Sequence, residues 1–176
     1  MALSYANLDD KTRSFMLSEL ERDIASGNLF ISERLSLLGR NEYAAMVRRA
    51  IQQGNDVTFA NELRQPGRFN PTYTRRNPKG GTTEAKMPSN APDTLAEGEF
   101  NRYYIRGVCL RATDEGIPAV EVYRAKDVSS PRPESTAKIG KRIDAKALLE
   151  DLRTHQGSET VHGVPEPNSG LSVRLP

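Results

Sequence analysis

Apolar positions gather in two stretches, residues 8–63 and 95–152, and between and after them the periodicity stops. In "NLDDKTRSFMLSELERDIASGN", Met16, Leu20 and Ile24 recur at helical spacing. Asp9 or Asp10 can cap the free N–H groups and Gly27 offers a left-handed exit, which predicts a helix over 10–25. "SERLSLLGRNEYAAMVRRAIQQGND" reads as two helices. Ser32 caps a short one that stops at Gly39, and Asn41 caps another carrying Tyr43, Met46, Val47, Ala50 and Ile51 as far as Gly54. "DVTFANELR" adds a fourth helix from Asp56 or Thr58, so residues 1–64 form a short helical hairpin bundle.

Residues 65–94 carry Pro66, Pro71, Pro78, Pro88 and Pro92 with no apolar period, so neither a helix nor a central strand is expected there. This is a long irregular, basic loop or arm. "DTLAEGEFNRYYIRGVCLRATDEG" then opens on a capping Asp93 or Thr94 and closes at Gly116, predicting a helix over 95–114. Phe100, Tyr103, Tyr104, Gly107 and Val108 share one face and Ile105 and Cys109 another, the pattern of a central helix. Gly107 marks close approach by another backbone. "AVEVYRAK" alternates as a strand does, and "DAKALLEDLR" is an amphipathic helix capped by Asp144. One strand is no sheet, so its partner comes from 136–143, from the tail or from another subunit. The fold class is mainly α with a small β element, an α+β arrangement. Residues 95–156 form a helix–strand–helix unit and 157–176 an extended C-terminal arm, giving two compact halves joined and followed by irregular chain.

Leu, Ile, Val and Phe make up only 37 of the 176 residues, so the core is small for the length, and no apolar run is long enough to span a membrane. A net charge of +2 is too mild to imply a nucleic-acid partner from totals alone. A single cysteine, Cys109, excludes an internal disulfide, and "MALSYANLDD" lacks the segments of a secretory signal, so a reducing, cytoplasmic setting is expected.

Local clusters say more. "SERLSLLGRNEYAAMVRR" has the outline of a helix–turn–helix with Arg40, Arg48 and Arg49 toward phosphate. The apolar positions such a turn needs are filled by Arg34, Arg40 and Arg48, which favours a plain hairpin with a basic face. In the loop, Arg68, Arg75, Arg76, Lys79 and Lys86 oppose only Glu84, with Phe69 and Tyr73 interleaved, the make-up of an arm that tracks nucleic acid or of a solvated linker. Arg102 and Arg106 lie on one face of the central helix, either as an interface or anion site or with their heads paired to Asp114, Glu115 or Glu121.

Catalytic chemistry is sparse. His155 and His162 have no further ligand at metal spacing, and Cys109 sits among apolar neighbours as a small hydrophobe. A metal-dependent nuclease built on Asp114 and Glu121 lacks its lysine, because Tyr123 holds that position and Lys126 comes late. No cofactor, metal or small-molecule substrate is indicated, and no enzyme is expected.

The run "GEFNRYYIRGVCLRA…VEVYRAK…PRPES…LLEDLR…PNSGLSVRLP", over residues 97–176, resembles a family of short uncharacterised bacterial and phage proteins. The resemblance implies that the second half and the tail act as a unit, and it favours a virion or assembly component. The tail is also similar to the linker-plus-peptide of encapsulin cargo, without its Gly-Ser-Leu element. Pro165 and Pro167 would hold the lead extended and Leu171, Val173 and Leu175 would enter pockets or extend a sheet edge on a neighbour, another protein or a second copy. The sequence thus predicts a non-catalytic structural or assembly protein working through extended arms, with a nucleic-acid-binding accessory protein as the competing reading. Removal of 163–176 is then expected to leave the halves folded and to lower the oligomeric mass measured by light scattering.

Overall fold

The first helix, α1 (Asp10–Ser26), starts where the Asp9 carboxylate accepts the Thr12 N–H at 3.0 Å and stops where Gly27 turns left-handed at φ 71°. The computed structural model describes residues 3–157 and 160–176, so the expected segments 1–64 and 157–176 each include two residues, 1–2 and 158–159, outside the described ones.

The two expected helices across Gly39 are one, α2 (Leu37–Gln53). Ser36, not Ser32 or Asn41, is the cap: its hydroxyl accepts the Gly39 N–H at 3.1 Å, while the Ser32 hydroxyl takes the Arg34 N–H in a turn. Gly39 is therefore no helix stop. It lies in the first turn because the Arg68 carbonyl passes so close that a Cβ would stand 2.1 Å from the oxygen. A third helix, α3 (Asp56–Leu63), opens with a capping box between Asn55 and Thr58.

Residues 65–94 are not irregular throughout. Strands β1 (Thr72–Arg76) and β2 (Thr82–Lys86) pair antiparallel, Thr72 opposite Lys86 and Arg76 opposite Thr82, around a turn in which Gly80 and Gly81 both have positive φ. The prolines stay outside the ladder, Pro71 before it, Pro78 in the turn and Pro88 after it. Helix α4 (Ala91–Asp114) begins earlier than its pattern suggested: Asn90 holds the cap position and Pro92 lies in the first turn, where a missing N–H costs no bond.

Helix α4 is central, as its all-round apolar pattern implied: α1, α3 and helix α6 (Ala145–Thr154) pack around it. At Gly107 a Cβ would stand 2.6 Å from Met16 Cγ and 3.1 Å from the Thr12 carbonyl oxygen, so the missing side chain sets the α1–α4 approach. Strand β3 (Ala119–Arg124) also packs on α4 and is the middle of a three-stranded antiparallel sheet, between β4 (Arg142–Asp144) and β5 (Leu171–Arg174). A one-turn helix, α5 (Pro133–Thr136), lies in the β3–β4 connection, and the Asp144 carboxylate caps α6 at the Ala147 N–H, 2.8 Å away. The mainly α, α+β class is as expected. The two halves, however, share one core: Met16 and Phe59 belong to the same buried cluster as Leu148 and Val173.

The C-terminal arm docks on its own chain. Both intramolecular candidates for the partner strand pair with β3, and the tail supplies one of them, Val173 lying opposite Val122 and Leu171 opposite Arg124. Leu171 and Val173 are fully buried, and the Leu175 N–H donates to Asn7 Oδ1 at 2.9 Å. Asn101 of α4 fixes the strand from below, donating to the Leu171 carbonyl at 2.9 Å and accepting the Ser172 hydroxyl at 2.6 Å. The residues expected to reach a neighbour are spent on the protein's own sheet, because β3 needs a second edge partner and Val122 an apolar cover.

One polar cluster crosses this apolar interior. Arg106, with no exposure, donates from Nη1 and Nη2 to both Asp23 oxygens at 2.6 and 2.9 Å and from Nε to Glu19 at 2.7 Å. The Tyr103 hydroxyl donates to Asp23 at 2.9 Å, and Arg153 of α6 donates from Nε to Glu19 at 3.0 Å. Arg106→Ala leaves two carboxylates buried without their cation, and urea denaturation is expected to show a loss of about 3–5 kcal/mol. Removing residues 163–176 is expected to destabilise the whole protein in the same assay, since Leu171 and Val173 each contribute about 1.5–3 kcal/mol by burial. A truncated protein with an unchanged unfolding midpoint would show the tail to be dispensable.

Candidate functional site

The basic residues expected in one loop come together on the hairpin, with one exception. Strand alternation puts Arg75 on the face with Tyr73, Thr83 and Ala85, and Arg76 on the opposite face with Thr72, Glu84 and Lys86. Lys79 sits in the turn. Arg75, Arg76, Lys79 and Lys86 are exposed, and among the described residues none has an ion-pair or hydrogen-bond partner for its side chain. Glu84, the acid in their midst, accepts the Thr72 hydroxyl at 2.5 Å. The ribbon is anchored at its base: the Arg34 guanidinium stacks 4.5 Å from the Tyr73 ring centroid, and Phe69 bridges to Leu35. Arg68 belongs to this anchor, its Nε 2.9 Å from Glu42 and its Nη1 bound to the Glu62 carbonyl.

The other basic candidates are engaged within the chain, Arg48 and Arg49 by carboxylates and Arg40 by backbone carbonyls. Arg48 grips Glu21 with two hydrogen bonds of 2.7 and 3.0 Å, Arg49 grips Glu62, and Arg40 donates to the carbonyls of Leu35 and Glu33 at 3.0 and 3.1 Å. The helix–turn–helix outline is not formed, because α2 runs unbroken past Gly39, and its arginines brace neighbouring elements. Arg106 is sealed in the core, paired with Glu19 and Asp23 rather than Asp114, Glu115 or Glu121. Arg102 is buried and donates to the His155 carbonyl at 2.7 Å.

A cavity of about 500 Å³ lies between the first half of α4 and the lead into β5. One wall is the stripe Asp93, Glu97, Gly98, Asn101 and Arg102, spaced to share a helix face. The opposite wall is the tail lead, where Pro165 and Pro167 run past with Glu166 between them. Glu166 is tied down by Arg132 and by the Ser135 hydroxyl, 2.7 and 2.8 Å away, and Gly170 turns the lead into β5 so tightly that a Cβ would stand 2.2 Å from the Lys126 carbonyl oxygen. Phe30, Leu3 and Leu171 are the apolar part of the lining, and Lys126 closes one end in an ion pair with Glu97.

Glu99 also reaches this cavity and is 8% exposed. Unlike Glu19, Asp23, Asp93, Glu97 and Glu166, its carboxyl has no hydrogen bond or ion pair among the described residues. Burial lifts it to about 7, against the partial opposition of Arg102 and Arg106 and with a small push from Asp23. Glu19 shows the contrast. Burial pushes it up too, but direct bonds from Arg153 and Arg106 outweigh burial and hold it below the ordinary range. The sequence reading missed Glu99, whose one signal was an acid within a helix apolar almost all round.

The remaining chemical candidates are structural. His155 and His162 both turn Nδ1 toward Asp151, at 2.8 and 2.7 Å, and Asp151 also accepts the backbone N–H groups of Val161 and His162. Asp114 pairs with Lys11 and Glu121 with Arg174, so the nuclease pair is split between separate cations, and no group of three or more His, Cys, Asp or Glu able to hold a metal occurs among the described residues. Cys109 is fully buried, which pushes its thiol far up and away from thiolate. Among the described residues no helix is long and apolar enough to cross a membrane. Compared with protein-family models, curated proteins and solved structures, the chain matches none of them.

The native state keeps the Glu99 proton to about pH 7, whereas the unfolded chain releases it near 4.5, so the folded form binds more protons throughout that window. Stability therefore falls as pH rises through it, by up to about 3 kcal/mol. Glu99→Gln is expected to remove this loss and to be the more stable protein at pH 8, which urea denaturation at pH 5 and pH 8 checks. Equal slopes of stability against pH in both proteins would assign the titration to another group.

Proposed function

We infer that the protein is a nucleic-acid-binding accessory protein whose contact element is the β1–β2 ribbon. The observation that carries this reading is four cations without counter-ions, Arg75, Arg76, Lys79 and Lys86, on a two-stranded element that takes no part in the apolar core. A charged group left unpaired at a folded surface is available to phosphate, and binding releases the counter-ions condensed on the nucleic acid. Five-residue strands make a ribbon about 17 Å long, and a two-stranded ribbon is a shape that the duplex major groove, about 12 Å wide, admits. Cations on both faces and in the turn suit backbone contact over reading of base edges, so sequence preference is expected to be weak. The rival reading, docking through a free C-terminal arm, has lost its contact residues to the internal sheet.

The test is fluorescence anisotropy of a labelled duplex against salt. Four phosphate contacts give a slope of about −3.6 in log affinity against log salt, a loss of about 10²-fold between 50 and 200 mM. Replacing Arg75, Arg76, Lys79 and Lys86 together by Ser is expected to abolish binding at 50 mM while the circular dichroism melt stays in place. A quadruple variant that binds as the parent does, or a parent whose binding ignores salt, overturns the reading.

A further inference from the structure

We propose that the cavity between α4 and the tail lead is a binding site for a small organic cation, a primary amine or guanidinium on an alkyl chain, with Glu99 as its anchor. The site is separate from the ribbon and does not depend on the reading given for it.

Size, charge and shape each narrow the ligand. About 500 Å³ is room for a small molecule, not for a single ion or a protein segment with a body of its own. Four carboxylates, of Asp93, Glu97, Glu99 and Glu166, reach the lining against two cations. Both cations are engaged, Lys126 with Glu97 and Arg102 with the His155 carbonyl, so the lining offers no opening to an anion. Three of the acids have protein partners, in Arg64, Lys126 and Arg132. Glu99 has none, and a carboxylate taken out of water without a donor is costly enough that it keeps a proton or acquires a cation. A metal ion would need converging ligands, and the described residues hold no such group, whereas an ammonium or guanidinium brings its own donors to a single carboxylate. The Phe30 ring with the Leu3 and Leu171 side chains supplies the apolar wall against which an alkyl chain, and the face against which an organic cation, gains contact.

Gly98 makes the cavity addressable. It faces the cavity from the α4 stripe, and a Cβ built there meets no atom within 4 Å, so a larger side chain at this position enters the open space without pushing backbone. The groups whose charge or phenol acts on Glu99 are Arg102, Arg106 and Tyr103 of α4, Asp23 of α1 and Tyr43 of α2. Arg106 stays cationic and the phenols of Tyr43 and Tyr103 stay neutral across the range tested, and a change of affinity near pH 7 that Glu99→Gln removes belongs to the Glu99 carboxyl.

The experiment is isothermal titration calorimetry of the whole protein with agmatine, which carries an amine and a guanidinium, and with acetate as an anionic control. Agmatine is expected to bind saturably at one site per chain, more weakly at pH 6 than at pH 8, because the ligand competes with the proton on Glu99. Glu99→Gln is expected to weaken it by at least about tenfold, the worth of one charge-assisted hydrogen bond. Gly98→Leu should remove binding while its melting temperature stays at or above that of the parent, which separates a filled site from a failed fold. The proposal is overturned if agmatine shows no saturable binding in the millimolar range, if either variant binds it as tightly as the parent, or if acetate binds instead.

Discussion

The structure depends on the Arg106 guanidinium held between Glu19 and Asp23. A central helix that is apolar nearly all round could pack against its neighbours in several registers, because hydrophobic contact alone carries little direction. The fork of Arg106 meeting both oxygens of Asp23 admits one rotation of α4 against α1, and the Arg153 bonds to the same Glu19 extend the constraint to α6. Gly107 lies one residue along and lets the backbones come close enough for those bonds to form. Orientation comes from the charges and proximity from the missing side chain. The sheet and the cavity then take their positions from α4.

What could be read in the sequence was what is decided locally. Asp9 and Gly27 around α1, Asp144 before α6 and the alternation of Val120 and Val122 each act within a turn or two of chain, and each element formed where those residues placed it. Misreadings arose where a distant segment decides. Gly39 resembles a helix stop until Arg68 is seen to need the space. The tail resembles a free arm until β3 is seen to lack an edge partner. Arg106 had acids nearer in sequence at Asp114 and Glu115, yet its partners lie more than eighty residues away. The hairpin was missed for another reason: its strands are polar on both faces, so no apolar period marks them, and the usable signals were the threonines of "TYTRR" and "TTEAK" flanking a turn with two glycines.

The candidate sites divide along the same line. The ribbon's cations were visible as a charge cluster, and the fold added that they are held together on a paired element while Arg48 and Arg49 are paired with acids and Arg40 is tied to backbone carbonyls. The cavity was invisible, since its walls come from the start of α4 and from residues 165–171, and only their meeting creates a volume. The cavity rests on the tail being part of the body: it is one wall of the cavity and an edge of the sheet that packs on α4.

That placement has a consequence for how the chain is made. Strand β3 leaves the ribosome roughly fifty residues ahead of β5, a gap of several seconds at about 5–20 residues per second. Throughout that interval Val122 lacks its neighbour Val173 and one edge of β3 has no mate, the kind of surface on which nascent chains adhere to one another. Until β5 arrives, that edge has no cover from the finished fold, and its exposure lasts as long as the synthesis of the intervening residues.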